Sequence, residues 1–191
     1  MLPLSFDYVI AESLSSGPNS RIEVSDWLMR YLELKLMTVS APAVVFDVDS
    51  TLLERDQYTL KRIDAIYNVF DFCQRKNIPC HIVTARLDCD LGKQELSKVM
   101  KQMNMKLSKF HYTYMRPSDI EINTRGLEKF KTQCRQEISN RGYTIVANIG
   151  DNWHDLGYLS NSLKKLDETK SYIAFFPGHT TVSIKLPADK R

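Results

Sequence analysis

The run Ala43-Val44-Val45-Phe46 constrains this chain more than any other segment. Four consecutive apolar residues, two of them β-branched, suit a strand covered on both faces, as in a parallel sheet. Asp47 and Asp49 follow directly, in FDVDSTLL. Residues two apart on an extended backbone point the same way, so the two carboxylates converge at the carboxyl end of a central strand. Ligands of open α/β sheets bind at that end. Like charges so close need a cation, a proton or both. A magnesium ion answers the need, because it favours carboxylates together with phosphate oxygens. A DxD alone is common in surface turns; DVDST behind four apolar residues is far more specific.

The same alternation continues along the chain. Further strands are expected at Cys80–Val83, His111–Met115, Tyr143–Ile149 and Tyr172–Phe176. Helices are expected over 62–75, 91–106 and 125–141, the last closed by Gly142. Trp27, Leu28, Tyr31, Leu32 and Leu36 recur at helical spacing ahead of Pro42, with Ser20 or Ser25 as N-cap. Residues 1–20 read as irregular, and SLSSGPNS as a loop. Strands alternating with helices predict an α/β fold: a three-layer, doubly wound, mostly parallel sheet. The expected division is an N-terminal extension over 1–42, with one helix packing on the core, and a main domain over 43–191. Met100, Met103 and Met105 read as core packing.

Composition narrows the class of protein. The chain has 191 residues, 43% hydrophobic and 26% charged, as in an ordinary globular domain. Its 26 Lys and Arg against 23 Asp and Glu give a net charge of +3, too small to indicate nucleic acid. No apolar stretch approaches the roughly 18 residues of a membrane helix. The N-terminus lacks a basic leader, so a cytoplasmic location is expected. Cys73, Cys80, Cys89 and Cys134 match no zinc framework and read as reduced thiols. The histidines show no ligand spacing.

Three more segments carry chemistry. In HIVTAR, Thr84 stands just past a strand, with a hydroxyl able to donate to a phosphoryl oxygen or to cap a helix; Arg86 suits bidentate phosphate binding, or plain exposure to water. In FKTQCR, Lys131 and Arg135 share a helix face, where Lys131 would neutralise a phosphoryl group or simply be solvated. In IGDNWHDL, Gly150 permits a tight turn; Asp151 is a magnesium ligand or an N-cap, and Asp155 ligates through water or orients Lys131. Trp153 and Tyr58 suit stacking on a substrate ring or packing in the core. His154 suits a substrate contact or exposure to solvent.

These four segments, in this order, resemble the haloacid dehalogenase-like phosphatase superfamily: DxDxT after a strand, a strand-end Thr, a helical Lys, and GDxxxD after a strand. VTAR at 83–86, F-K-x-x-x-R from Phe130, RGYTIVANIGDNWHDLG at 141–157 and IKLP at 184–187 are similar to its acid phosphatase branch (subfamily IIIB). The branch often carries Glu where Ser50 stands. The resemblance implies a magnesium-dependent phosphohydrolase with no or minimal cap. Asp47 would be the nucleophile and Asp49 the acid and base. Thr84, Lys131 and Arg86 would bind phosphate. Magnesium would be held by Asp47, Asp49 (through its carbonyl) and Asp151, with Asp155 in support. An open site admits a small phosphomonoester or a phosphorylated macromolecule. The alternatives are a nucleic-acid 3′-end phosphatase and a non-catalytic storage or binding protein on the same fold. The sequence leaves the oligomeric state open.

Overall fold

Buried apolar runs separated by amphipathic segments resolve into one sheet between two helical layers. The computed structural model describes residues 9–12, 18–55, 59–156, 170–175 and 181–187. The strands are β1 (Val9–Glu12), β2 (Pro42–Phe46), β3 (Leu53–Arg55), β4 (Leu60–Arg62), β5 (Cys80–Leu87), β6 (Tyr112–Arg116), β7 (Thr144–Gly150), β8 (Tyr172–Phe175) and β9 (Val182–Lys185). The helices are α1 (Pro18–Thr38), α2 (Asp64–Arg75), α3 (Asp90–Gln102) and α4 (Thr124–Asn140), with 3-10 turns at Leu107–Lys109 and Trp153–Leu156.

Seven strands form the main sheet, in the order β1-β8-β9-β7-β2-β5-β6. The pairs β9–β7, β7–β2, β2–β5 and β5–β6 are parallel; β8 runs against β1 and β9. This is the mostly parallel, three-layer α/β sheet expected from the alternation. One core lies under α1, α2 and α3, where Leu28, Leu32, Ile66, Val69, Leu96 and Met100 meet Val44, Phe46 and Ile82. The other lies under α4, where Phe130, Cys134 and Ile138 meet Val45 and Val83. Each fully buried Leu or Phe contributes about 1.5–3 kcal/mol. Met100 and Met105 are buried, as core residues should be.

Several expectations change. The first twenty residues are not all irregular: Val9–Glu12 is an edge strand on β8. A four-residue edge strand paired on one side leaves almost no periodic signal. Helix α1 starts at Pro18, where the missing amide costs nothing. Ser20 therefore lies inside it, sharing a hydrogen bond with Ser171, and Ser25 donates to the Ile22 carbonyl. Helix α3 stops at Gln102 because Asn104 takes a left-handed φ of 58°. The hairpin β3–β4 and strand β9 are additions to the expected elements. Tyr58, Phe176 and His179 lie outside the described residues, as do the side chains of Trp153 and His154. Among the described residues no helix is long and apolar enough to cross a membrane.

His81 lies fully buried at the amino end of the sheet, stacked on Tyr112 at 5.5 Å and edge-on to Tyr143 and His111. Among the described residues neither ring nitrogen has a hydrogen-bond partner. Burial, and then His111, pull its pKa down to about 4 from the usual 6.5. As pH falls below 6.5 the unfolded chain takes up this proton first, so stability is lost from 6.5 down to about 4. Urea unfolding at pH 7 and 4.5 is expected to show His81→Phe losing about 2 kcal/mol less than the parent between the two. Equal losses would contradict this account.

Candidate active site

Alternate residues of β2 serve different layers: Val44 and Phe46 the core under α1–α3, Val45 the core under α4. Asp47 continues the Val45 side. Its amide donates to the Ile149 carbonyl at 2.9 Å, which carries the β2–β7 pairing to the end of the strand. Its carboxylate meets α4, where Lys131 Nζ donates to Asp47 Oδ1 at 2.6 Å. The same ammonium donates to Asp155 Oδ1. Asp47, Lys131 and Asp155 are all buried.

Asp151 and Asp155 arrive from the end of β7. The turn is closed by Asp155 Oδ2, which accepts from the Asn152 amide at 2.8 Å, and by the Asp155 amide, which donates to the Asn152 carbonyl at 3.0 Å. The Asn152 side chain donates to Asp151 Oδ1 at 2.8 Å. A Cβ on Gly150 would lie 2.6 Å from Asp155 Oδ2, so the turn needs glycine for space. Arg135, one turn beyond Lys131 and itself buried, donates to the Asp155 carbonyl at 2.6 Å and to Thr132 Oγ1 at 3.1 Å.

Strand β5 runs on past Val83 to Leu87, so Thr84 is not just past its strand but buried inside it, and its Oγ1 accepts from the Arg86 amide at 3.3 Å. Arg86 is brought to Asp49, with Nε to Oδ2 at 2.9 Å and a terminal nitrogen to Oδ1 at 2.6 Å. Asp49 is 56% exposed while Asp47 is buried. Between Asp49 and Thr51 the chain turns sharply: Ser50 adopts a φ of 57°, and the amides of Thr51, Leu52 and Leu53 gather on the Val48 carbonyl. A left-handed Ser stores on the order of 1 kcal/mol.

Carboxylate oxygens of Asp47, Asp151 and Asp155 lie within 4.8 Å of one another. Burial pushes Asp47 up to about 7; Lys131 opposes the rise, and Asp155 and Asp49 add to it. Burial, then Asp155 and Asp47, push Asp151 up to about 8. Burial disfavours the Lys131 ammonium, but Asp155 and Asp47 outweigh it and hold it above its usual range. Three buried carboxylates around one ammonium thus crave positive charge. Hard oxygen donors in that state fit a divalent cation. The residues that could hold one are Asp47, Asp151 and Asp155.

Residues 60–187 match the family model described as HAD superfamily, subfamily IIIB (acid phosphatase). The chain belongs to that family. The matched span holds Thr84, Lys131, Asp151 and Asp155; Asp47 and Asp49 lie just ahead of it, and the fold brings Asp47 onto Lys131. Two solved structures share this phosphatase fold. One is a class C acid phosphatase from Bacillus anthracis, 12% identical, with a TM-score of 0.63, covering 90% of this chain and 78% of that one. The other is that type of enzyme with tungstate bound, 13% identical, TM-score 0.63, covering 92% and 80%. A chain of the Pnkp1/Rnl/Hen1 complex is similar over 67% of this chain and 44% of its own, at 14% identity and TM-score 0.51. No curated protein matches the chain.

One contributor to this carboxylate cluster escaped the sequence reading: Asn152, whose side chain donates to Asp151 and whose amide donates to Asp155. Replacing Lys131 with Met leaves three carboxylates facing one another. Urea unfolding at pH 8 is expected to show a loss of roughly 3 kcal/mol, partly recovered on adding magnesium. An unchanged unfolding midpoint would refute this charge balance.

Proposed function

We propose that this acid phosphatase hydrolyses phosphomonoesters through an aspartyl-phosphate on Asp47. The observation that carries the reading is the buried Asp47 carboxylate, tied to Lys131 and facing Asp151 at the carboxyl end of the sheet. In the first step an Asp47 oxygen bonds to phosphorus as the ester P–O bond breaks. The leaving oxygen takes its proton from Asp49. In the second step water attacks the acyl phosphate and gives its proton to Asp49; inorganic phosphate leaves and the Asp47 carboxylate returns.

Asp47, Asp151 and the Asp49 carbonyl would hold a magnesium ion, which when bound supplies positive charge at the phosphoryl oxygens. Lys131 supplies a second positive charge at Asp47. The Thr84 hydroxyl, buried within β5, donates to a phosphoryl oxygen. Asp155 and Arg135 hold Lys131 and the β7 turn in place. Burial of Asp47 and exposure of Asp49 give the two carboxylates different environments, and so room for different roles.

Substrate breadth follows from the absence of a cap among the described residues. Among the described residues only the β3–β4 hairpin and α2 lie between Asp47 and Thr84, and no cap domain is inserted. That opening suits a small phosphomonoester or a phosphate carried on a macromolecule.

Phosphate release from nucleotides, sugar phosphates, phosphopeptides and 3′-phosphorylated oligonucleotides, with and without magnesium, tests the reading. Turnover is expected with magnesium and not after chelation. Asp47→Asn is expected to lower it by about 10⁴-fold or more while the melting temperature holds or rises, since one repelling carboxylate is gone. Release from none of these substrates would favour a binding protein; full activity in Asp47→Asn would end the scheme.

A further inference from the structure

At the carboxyl end of β5 the ladder to β6 breaks register. Thr84 pairs with Met115, yet the next pair is Leu87 with Arg116. Ala85 and Arg86 are therefore extra residues in β5, a bulge of the kind that re-aims a side chain. A bulge takes carbonyls out of the ladder, and a buried carbonyl needs a donor. Here Arg116 supplies it. Its Nε donates to the Ala85 carbonyl at 3.1 Å, and a terminal nitrogen donates to the carbonyls of Pro117 at 3.2 Å and Ile120 at 2.5 Å. Arg116 is buried, and the acceptors it is given are backbone carbonyls. One guanidinium thus fastens the bulge to the turn that leads into α4.

The bulge sends the next side chain, Arg86, across to the end of β2. Its fork closes on both oxygens of Asp49. That geometry fixes two torsions of a carboxylate that is otherwise half in water. We infer that Arg86 is a positioning residue for Asp49, with Arg116 holding the bulge that aims it. Resting on the phosphatase reading above, this gives the Arg86 fork a task other than gripping phosphate. Asp49 takes the Nε edge of the guanidinium, so a phosphate would have to use the remaining terminal-nitrogen edge, and the phosphate titration below tests whether it does. Asp49 in turn leads away from the buried cluster toward the solvent side, where a leaving group departs. Holding it in one rotamer raises the fraction of encounters in which the leaving oxygen finds its proton.

A leaving group of low basicity needs little help from an acid; an alkoxide needs a great deal. Parent protein, Arg86→Gln and Arg86→Lys are assayed with magnesium on para-nitrophenyl phosphate and glycerol phosphate. Arg86→Gln is expected to lose about tenfold or more in kcat on glycerol phosphate. On the nitrophenyl ester it should lose under about threefold, with both KM values within about twofold. Arg86→Lys keeps the charge but not the fork and should behave like Arg86→Gln. In an Asp49→Asn background, Arg86→Gln should cost nothing more, because its effect runs through Asp49. Affinity for inorganic phosphate, by calorimetry, should stay within about twofold in Arg86→Gln. A tenfold weaker phosphate affinity, a raised KM with kcat unchanged, equal losses on both esters, or an undiminished effect in the Asp49→Asn background would each overturn the assignment. If the parent releases phosphate from neither ester, the phosphatase reading fails, and the phosphate titration still decides the role of Arg86.

Discussion

The contact on which this site depends is the Lys131 ammonium, buried between Asp47 and Asp155. A buried lysine without partners would give up its proton or keep α4 off the sheet. With two carboxylates it stays charged, and α4 seats against β2 and β7. The partners come from distant parts of the chain, so one charge fixes three elements at once. Arg135 repeats the tie one turn along, through the Asp155 carbonyl. Space is part of the same constraint: Asp155 can reach Lys131 because residue 150 has no side chain.

Lys131 does not balance the cluster, and the imbalance is what makes it chemically useful. Asp47, Asp151 and Asp155 outnumber the single ammonium. Burial first, and then these like charges, push Asp47 up to about 7 and Asp151 up to about 8. A site in that state binds protons or a cation, and a phosphoryl group brings yet more negative charge. Lining such a place with carboxylates is unfavourable for stability and favourable for gathering a divalent ion with a phosphate. The parallel sheet makes this possible by directing the ends of β2 and β7 to one edge, so that short loops bring Asp47, Asp151 and Asp155 together.

What could be read from the sequence divides by range. The buried strands β2, β5 and β7 announce themselves as short apolar runs, because both faces are covered. Asp47 and Asp151 follow from those runs, since each stands just past a strand end, whereas Thr84 lies inside β5, which runs on to Leu87. Lys131 is legible as a face of α4. The elements that were not legible are short or lie at edges. Strand β1 has four residues, and β3 and β4 three each, so alternation has no room to show. The partners of Arg86 and Arg116 depend on a register break between β5 and β6. Nothing in VTARL marks Ala85 as the residue whose carbonyl leaves the ladder, because that is a property of the pair of strands.

Asp47 and Asp49 show the limit of periodicity most clearly. Extended backbone directs both to the same side, and the two remain close enough for the charge on Asp49 to raise Asp47. Periodicity alone, however, would give them one environment. The strand ends at Phe46, the chain wraps around the Val48 carbonyl, and Ser50 turns left-handed. Asp47 is left in the wall between β7 and α4, while Asp49 leans out to Arg86. Two carboxylates two residues apart thus differ in solvation, in partner and in charge balance. A single turn therefore separates a shielded carboxylate from a solvent-facing one.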